Sequence, residues 1–325
     1  MPARPPEIPV SDFDAAADFL HGGDGFLVTS HVNADGDAIG AVLAMEGLLR
    51  QLGKASTAVL EERPGDAYAF LPGTGGIVEA GAAGGGHQQA IVLDSSSLAR
   101  TGPVAECLAG GASVLNIDHH ADNQRFGAAN LASDAVSSTC EMLYHLAVHM
   151  DLELDRSLSE LLAAGLLFDT CCFRYSLTTP TSMEVGADLR RRGARLDRVA
   201  DGLYSNATLG SVKLIGRAID SLELHCGDRV ALLGLSRRDL ALGDPEAIVN
   251  YGLMVRGVEA SALLREEEPG RFRVSLRSRD DDMDVSAVAR RFGGGGHPQA
   301  SGCRIEGQAG AVRSRLLAAV EEMLP

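Results

Sequence analysis

Phe26-Leu27-Val28-Thr29-Ser30-His31-Val32-Asn33-Ala34-Asp35-Gly36-Asp37 is the stretch whose reading decides the fold. Its first five residues are a short apolar run of strand character. After it, from Ala38 to Leu52, Ile39, Val42, Leu43, Met45, Leu48, Leu49 and Leu52 recur at roughly helical spacing. His31, Asp35 and Asp37 thus fall on a strand-to-helix turn, at the carboxyl end of a strand, where open α/β sheets bind their ligands. Gly36 lets the backbone fold tightly there. Two readings stand at this point: a metal site in which the three side chains feed two neighbouring ions, or an acidic turn with a helix N-cap at Asp37.

The same pattern recurs downstream. Residues 55–60 read as a second strand, 90–93 as a third ending at Asp94, and 113–117 as a fourth ending at Asp118-His119-His120. Helix-length segments lie at 12–21, 98–109, 137–149 and 157–168, so the fold class is α/β, with a mostly parallel sheet flanked by helices. The glycine-rich stretches 72–76 and 81–86 lack Gly-Lys-Ser/Thr and read as connections. From Pro180 the character shifts. A helix over 182–193 runs into Arg190, Arg191, Arg192, Arg195 and Arg198, a solvated face near a linker or, as the lesser reading, a nucleic-acid contact. The expected domains are 1–187 and 213–325, with 188–212 as the linker. The second, smaller α/β domain has a strand at 230–233, a helical stretch at 245–255, a hairpin of 260–264 with 272–276, a helix at 284–292, the glycine run Gly293–Gly296, a short strand near 303–305 and a helix from 309.

Composition narrows the class. The chain has 325 residues, 45% hydrophobic and 22% charged, as in ordinary globular proteins. No apolar run reaches the ~20 residues of a membrane helix, and the N-terminus lacks a signal-peptide core; the expected location is the cytoplasm, with no membrane partner. The six cysteines show no Cys-x-x-Cys pairing and read as reduced thiols. A net charge of −15 argues against gripping long duplex nucleic acid, while acids gathered around divalent cations remain compatible with a phosphate substrate.

Asp94 alone is as consistent with a helix cap as with a ligand, although a carboxylate there has two oxygens with which to bridge two cations. His119 and His120 are either unrelated imidazoles or, on a turn, one metal ligand and one group facing substrate, with Asp118 as an acceptor that fixes an imidazole tautomer. Asp169 ends the apolar run 161–168 where a helix dipole disfavours an acid, which a nearby cation would explain. Arg174 then either pairs with a structural acid or offers charge to a phosphate oxygen. The set His31, Asp35, Asp37, Asp94, His119 and Asp169 has carboxylate and imidazole but no thiolate, which suits Mn²⁺, with Mg²⁺, Co²⁺ or Fe²⁺ next.

In this order His-x-x-x-Asp-x-Asp (31–37), Asp94, Asp118-His119-His120 and Asp169 resemble the four motifs of the DHH phosphoesterase superfamily. Ser275-Leu276-Arg277-Ser278 and Gly293-Gly294-Gly295-Gly296-His297-Pro298-Gln299-Ala300-Ser301-Gly302 resemble its DHH-associated domain. Length and that domain resemble the nanoRNase and pAp-phosphatase branch, which cleaves very short oligonucleotides, 3′-phosphoadenosine 5′-phosphate and, in some members, cyclic dinucleotides. The resemblance implies one metal on His31, Asp35 and Asp94 and a second on Asp37, Asp94, His119 and Asp169. It implies that His120 faces substrate, and that Arg277, Ser278, Gly294, Gly295, Gly296 and His297 bind the nucleotide across an interdomain cleft. Consecutive glycine N–H groups suit an anion nest; the alternative for that run is a helix C-cap and turn. The implied reaction is two-metal hydroxide attack on phosphorus, with Arg174 or His120 stabilising developing charge and His120 protonating the leaving oxygen. The rivals are a RecJ-like single-strand exonuclease, a manganese pyrophosphatase or polyphosphatase, and a non-catalytic cyclic-dinucleotide sensor. Ala34, Phe168, Cys171 and Ser301 depart from the family pattern and bear on substrate preference. Homodimerisation is left open.

Overall fold

A computed structural model describes residues 7–243, 246–279 and 283–324, the side chains of 246, 247 and 297 excepted. The chain divides into two units, Met1–Asn206 and Ala207–Pro325. In the first, helix α1 (Val10–Gly22) precedes six strands: β1 (Phe26–Thr29), β2 (Ser56–Leu60), β3 (Val78–Glu79), β4 (His87–Leu93), β5 (Leu108–Asp118) and β6 (Ala129–Ala132). They lie in the order β3-β2-β1-β4-β5-β6, every pair parallel. From β1 the chain builds outward through β2 and β3, then returns to β4 on the other side of β1. The strand order therefore reverses between β1 and β4, and their carboxyl ends flank the switch point where such sheets bind ligands.

Helix α2 (Gly36–Gln51) connects β1 to β2, and α3 (Thr139–His149), α4 (Arg156–Asp169), α5 (Pro180–Arg191) and α6 (Leu196–Tyr204) follow the sheet. α2 is buried along most of its length, so its apolar residues surround it. Phe13, Phe26, Ile39, Met45, Leu48 and Tyr144 are among its unit's fully buried side chains. α2 and α4 approach closely: a Cβ at Gly36 would stand 2.6 Å from the Phe168 ring, and one at Gly40 would stand 2.8 Å from the Leu161 carbonyl oxygen.

Three expectations are corrected. Residues 98–107 form two short 3₁₀ turns rather than an α-helix, because Gly102 adopts φ +57° and Pro103 follows it. The helical stretch expected at 245–255 is likewise 3₁₀, over Glu246–Met254. α5 and α6 occupy much of the segment expected as a linker and pack onto the first unit; Tyr204 donates its hydroxyl to the Leu167 and Phe168 carbonyls, 3.1 Å from each. Arg192, the residue after α5, bonds Asp188 at 2.7 Å, and Asp188 accepts from the buried Tyr144 hydroxyl at 2.8 Å, while Arg191 stays exposed.

The second unit contains α7 (Leu209–Asp220), β7 (Glu223–His225), β8 (Val230–Leu235), α8 (Arg237–Leu240), β9 (Ala260–Glu268), β10 (Arg271–Ser278), α9 (Val285–Arg291), β11 (Gly295–His297), β12 (Ala300–Glu306) and α10 (Ala309–Glu321). Its sheet runs β11-β12-β10-β9-β8-β7, antiparallel except for the β8–β9 pair. Among the described residues, no helix is long and apolar enough to cross a membrane.

Candidate metal centre

His31 stands just beyond β1, and its Nδ1 lies 2.8 Å from the Val32 carbonyl oxygen. A carbonyl only accepts, so Nδ1 donates there and Nε2 is the atom turned to the cluster. It lies 3.4 Å from Asp94 Oδ2 and 4.0 Å from Asp35 Oδ2. Asp35, not Asp37, is the N-cap of α2: its Oδ1 accepts from the N–H groups of Asp37 at 3.0 Å and Ala38 at 3.2 Å. Its two oxygens thus divide between helix and cluster. The cap expected at Asp37 is made by Asp35, which leaves its Oδ2 beside His31.

Asp37 is wholly buried in the first turn of α2. Its carboxylate accepts from Thr139 N–H at 2.7 Å and Cys140 N–H at 3.0 Å, the first two residues of α3. These are among the orphan donors of a helix N-terminus, which favours negative charge.

Asp94 follows β4 with φ +52°, a left-handed conformation uncommon outside glycine. That backbone turns the carboxylate between two imidazoles. Oδ2 faces His31, while Oδ1 lies 3.5 Å from His119 Nε2 and 3.2 Å from the Thr139 hydroxyl. His119 Nε2 in turn lies 3.4 Å from Asp169 Oδ2 at the end of α4. That oxygen is buried and, among the described residues, has no hydrogen-bond donor.

The six side chains converge as two triads of metal-capable atoms, His31-Asp35-Asp94 and Asp37-His119-Asp169; a third triad joins Asp94, His119 and His120. Their electrostatics are those of crowded acid. Burial and the Asp94 charge push Asp37 up to about 7, and burial with neighbouring carboxylates raises Asp35 and Asp169. Burial opposes charging of His31, but the hydrogen bond and charge of Asp94, with Asp35, carry it up to about 9. Divalent cations fit this donor set: four carboxylates, two imidazoles, no thiolate ligand, and an orphaned buried oxygen on Asp169. The Cys140 Sγ lies 3.7 Å from the Asp37 carbonyl and 3.8 Å from the Leu161 carbonyl, and burial beside the Asp37 charge pushes the thiol up, away from the thiolate a metal would need.

His120 Nδ1 donates to Asp118 Oδ1 at 2.7 Å. Asp118 is fully buried and also accepts from Asn123 Nδ2 at 2.6 Å. The acceptor expected for an imidazole thus serves His120. Arg174 is exposed on the turn after α4 and, among the described residues, makes no ion pair with the cluster. In the second unit, Arg277 and Ser278 end β10, where Arg277 pairs in register with Ala300 of β12; Gly295, Gly296 and His297 form β11 against the same strand. The N–H groups of Gly293 and Gly294 donate to the carbonyls of Arg290 and Ala289 and so cap α9. That use corrects the anion-nest expectation at Gly294. The side chain of His297 lies outside the described residues.

Thr139, Cys140 and Gly165 were not anticipated. The Ser138-x-x-Glu141 spacing ahead of an apolar run is the available signal for the α3 N-terminus. Nothing in the sequence points it at Asp37.

The chain matches the DHH family, N-terminal domain, over residues 25–166 and the DHHA1 domain over residues 227–324. It is 30% identical over 299 residues to the bifunctional oligoribonuclease and PAP phosphatase NrnA of Thermus thermophilus, covering 91% of this chain and 89% of that protein. It is 24% identical over 289 residues to the protein of the same name from Bacillus subtilis, with coverage of 87% and 90%. The structure of an exopolyphosphatase-related protein from Bacteroides fragilis shares the fold, with a TM-score of 0.90, 23% identity and coverage of 98% and 97%. With a DHH domain followed by a DHHA1 domain and a near full-length likeness to proteins of that kind, the chain belongs to the DHH family of phosphoesterases.

Proposed function

We propose that this hydrolase cleaves the phosphoester bonds of short oligonucleotides, dinucleotides such as pApA included, and of 3′-phosphoadenosine 5′-phosphate. The observation that carries the chemistry is Asp94, whose two oxygens face His31 on one side and His119 on the other, joining two triads of ligands. The substrate class is supported by the likeness to the Thermus thermophilus protein over most of both chains. His31, Asp35 and Asp94 hold one divalent ion, and Asp37, Asp94, His119 and Asp169 the second; the oxygen and imidazole donors favour Mn²⁺, with Mg²⁺, Co²⁺ or Fe²⁺ acceptable. Such a pair, when bound, acidifies water and neutralises phosphoryl oxygens.

The chain's own residues supply the remainder. His120, its Nδ1 proton committed to Asp118, serves the leaving oxygen through Nε2. Arg174, on the turn five residues beyond Asp169, offers charge to the phosphoryl oxygens. In the DHHA1 domain, Arg277, Ser278, Gly295, Gly296 and His297 bind the nucleotide. Six free thiols, with no disulfide among them, favour a cytoplasmic setting.

A substrate panel with Mn²⁺ tests the reading. Release of mononucleotide from pApA, or of phosphate from 3′-phosphoadenosine 5′-phosphate, is the expected result. Turnover of pyrophosphate alone, or degradation only of long single strands, would overturn it.

A further inference from the structure

Glu141 is a wholly buried acid outside the six-residue cluster. Its Oε2 accepts from the N–H of Ser137 at 2.9 Å and from the Ser137 hydroxyl. Among the described residues its Oε1 has no hydrogen-bond partner; it lies 3.8 Å from Nε2 of His145, which is also buried and without one among them. Taking a carboxylate out of water is costly unless its partners compensate. An exposed cap would fasten the helix without that cost, so burial here calls for a reason beyond helix capping.

The geometry of the first turn of α3 supplies one. Ser138 is the N-cap, its hydroxyl accepting from Glu141 N–H at 3.0 Å. In an ordinary capping box the acid three residues on reaches back to the N-cap's own N–H. Glu141 instead reaches one residue further, to Ser137, and fastens the entering chain to the helix. The residues between those two anchors are the ones that touch the centre. Thr139 and Cys140 give their N–H groups to the two oxygens of Asp37, and the Thr139 hydroxyl lies on Asp94 Oδ1. A shift of this turn would move donors from both carboxylates at once.

We infer that Glu141 is a positioning residue: by clamping Ser137 it holds the α3 N-terminus against Asp37 and Asp94, and so sets the affinity of the centre for divalent ions. The inference rests on the metal reading of those carboxylates. Partners of this kind, one step removed from the ligands, typically change metal affinity about 10–100-fold when removed.

The test is calorimetric titration of Mn²⁺ alone into the full-length chain, alongside circular dichroism and thermal melts. Glu141→Ala is expected to bind Mn²⁺ at least tenfold more weakly while keeping wild-type helix content. Glu141→Gln, whose amide oxygen still accepts from Ser137, should recover most of that loss. Ser137→Ala removes one of the two contacts and should weaken binding severalfold; it carries the test if Glu141→Ala does not fold. Ser138→Ala, which removes only the cap, should lower Tm and leave Mn²⁺ affinity within about threefold. Equal weakening by Ser138→Ala and Glu141→Ala would reduce the effect to capping and overturn the inference. Unchanged binding in Glu141→Ala or Ser137→Ala, with a wild type that binds, overturns it alone. A wild type that binds no divalent ion removes the metal reading together with it.

Discussion

Gly165 on α4 faces Asp37 on α2 so closely that a Cβ at position 165 would stand 1.9 Å from Asp37 Oδ1 and 2.5 Å from Cys140 Sγ. The absence of a side chain there is what lets a buried carboxylate keep both N–H donors of α3. Gly165→Ala would gain about 1 kcal/mol of helix propensity, but overpacking costs about 1–3 kcal/mol, and the displaced atom is a candidate ligand. The expected outcome is a lower Tm and weaker Mn²⁺ binding together, read by thermal melts and titration. A variant more stable than wild type with unchanged metal affinity would show that Asp37 moves freely.

Asp94→Ala removes a member of the His31-Asp35-Asp94 triad whose other oxygen lies 3.5 Å from His119 of the second triad. Activity with Mn²⁺ should fall well beyond the about 10–100-fold typical of changes one step removed from a metal, and the stoichiometry of bound ion should drop. Circular dichroism should be preserved, because among the described residues the side chain meets the Thr139 hydroxyl and the imidazoles alone. Turnover near wild type at full occupancy would exclude Asp94 from the centre.

Much of this site is legible in the chain because its candidate ligands fall at or beside element ends, where apolar runs stop at His31, Asp94, the Asp118-His119 pair and Asp169. Periodicity marks the ends, and an acid following a buried strand stands out against its surroundings. The supporting side was hidden for a physical reason. Thr139 and Cys140 act through backbone N–H groups, which every residue carries, and their encounter with Asp37 spans about a hundred residues of chain. Gly165 looks like any glycine in an apolar helix until Asp37 is placed beside it. The helix expected over 98–109 failed locally, where Gly102 and Pro103 override a composition that otherwise permits helix. Asp35 rather than Asp37 is the N-cap because the helix already starts at Gly36, which leaves Asp37 inside the first turn with its carboxylate taken by the α3 N–H groups.

Tyr144, Asp188 and Arg192 form a second polar cluster, away from the ligands. Burial works against ionising Asp188, but hydrogen bonds from Arg192 and Tyr144 outweigh it and hold the carboxyl below its ordinary value; burial, and then the bond to Asp188, raises the Tyr144 hydroxyl, with Arg192 pulling the other way. A depressed folded value means that the stabilisation is present above the unfolded value of about 3.9 and is lost as pH falls through the folded one. Tyr144→Phe should cost about 1 kcal/mol near neutral pH. In Asp188→Asn the loss relative to wild type should shrink below about pH 4. Denaturant melts at pH 7 and pH 3 check both; a gap for Asp188→Asn that widens in acid would reverse the assignment.

Binding of a divalent ion should depend steeply on pH, with a predictable sign. Asp37 is pushed up to about 7 by burial and Asp94, and His31 up to about 9 by Asp94 and Asp35 against the pull of burial. A ligand must be a carboxylate or a neutral imidazole, so ion binding displaces the protons these groups hold. Each displaced proton is worth about tenfold in affinity per pH unit. Apparent Mn²⁺ affinity should therefore climb from pH 6 to pH 9, more steeply below about 7, where both groups contribute. Protein stripped of divalent ions should behave in the opposite sense. Asp37 titrates above its unfolded value of about 3.9, so its folded form takes up protons and the stripped protein weakens as pH rises from about 4 through about 7. The His31 contribution is fully present below about 6.5 and is lost as pH passes about 9. Mn²⁺ should thus raise Tm more at pH 8 than at pH 6, by mass action on the folded state. Titrations in buffers of different ionisation enthalpy count the protons released. A pH-independent affinity with no proton release would show that these residues do not hold the ion.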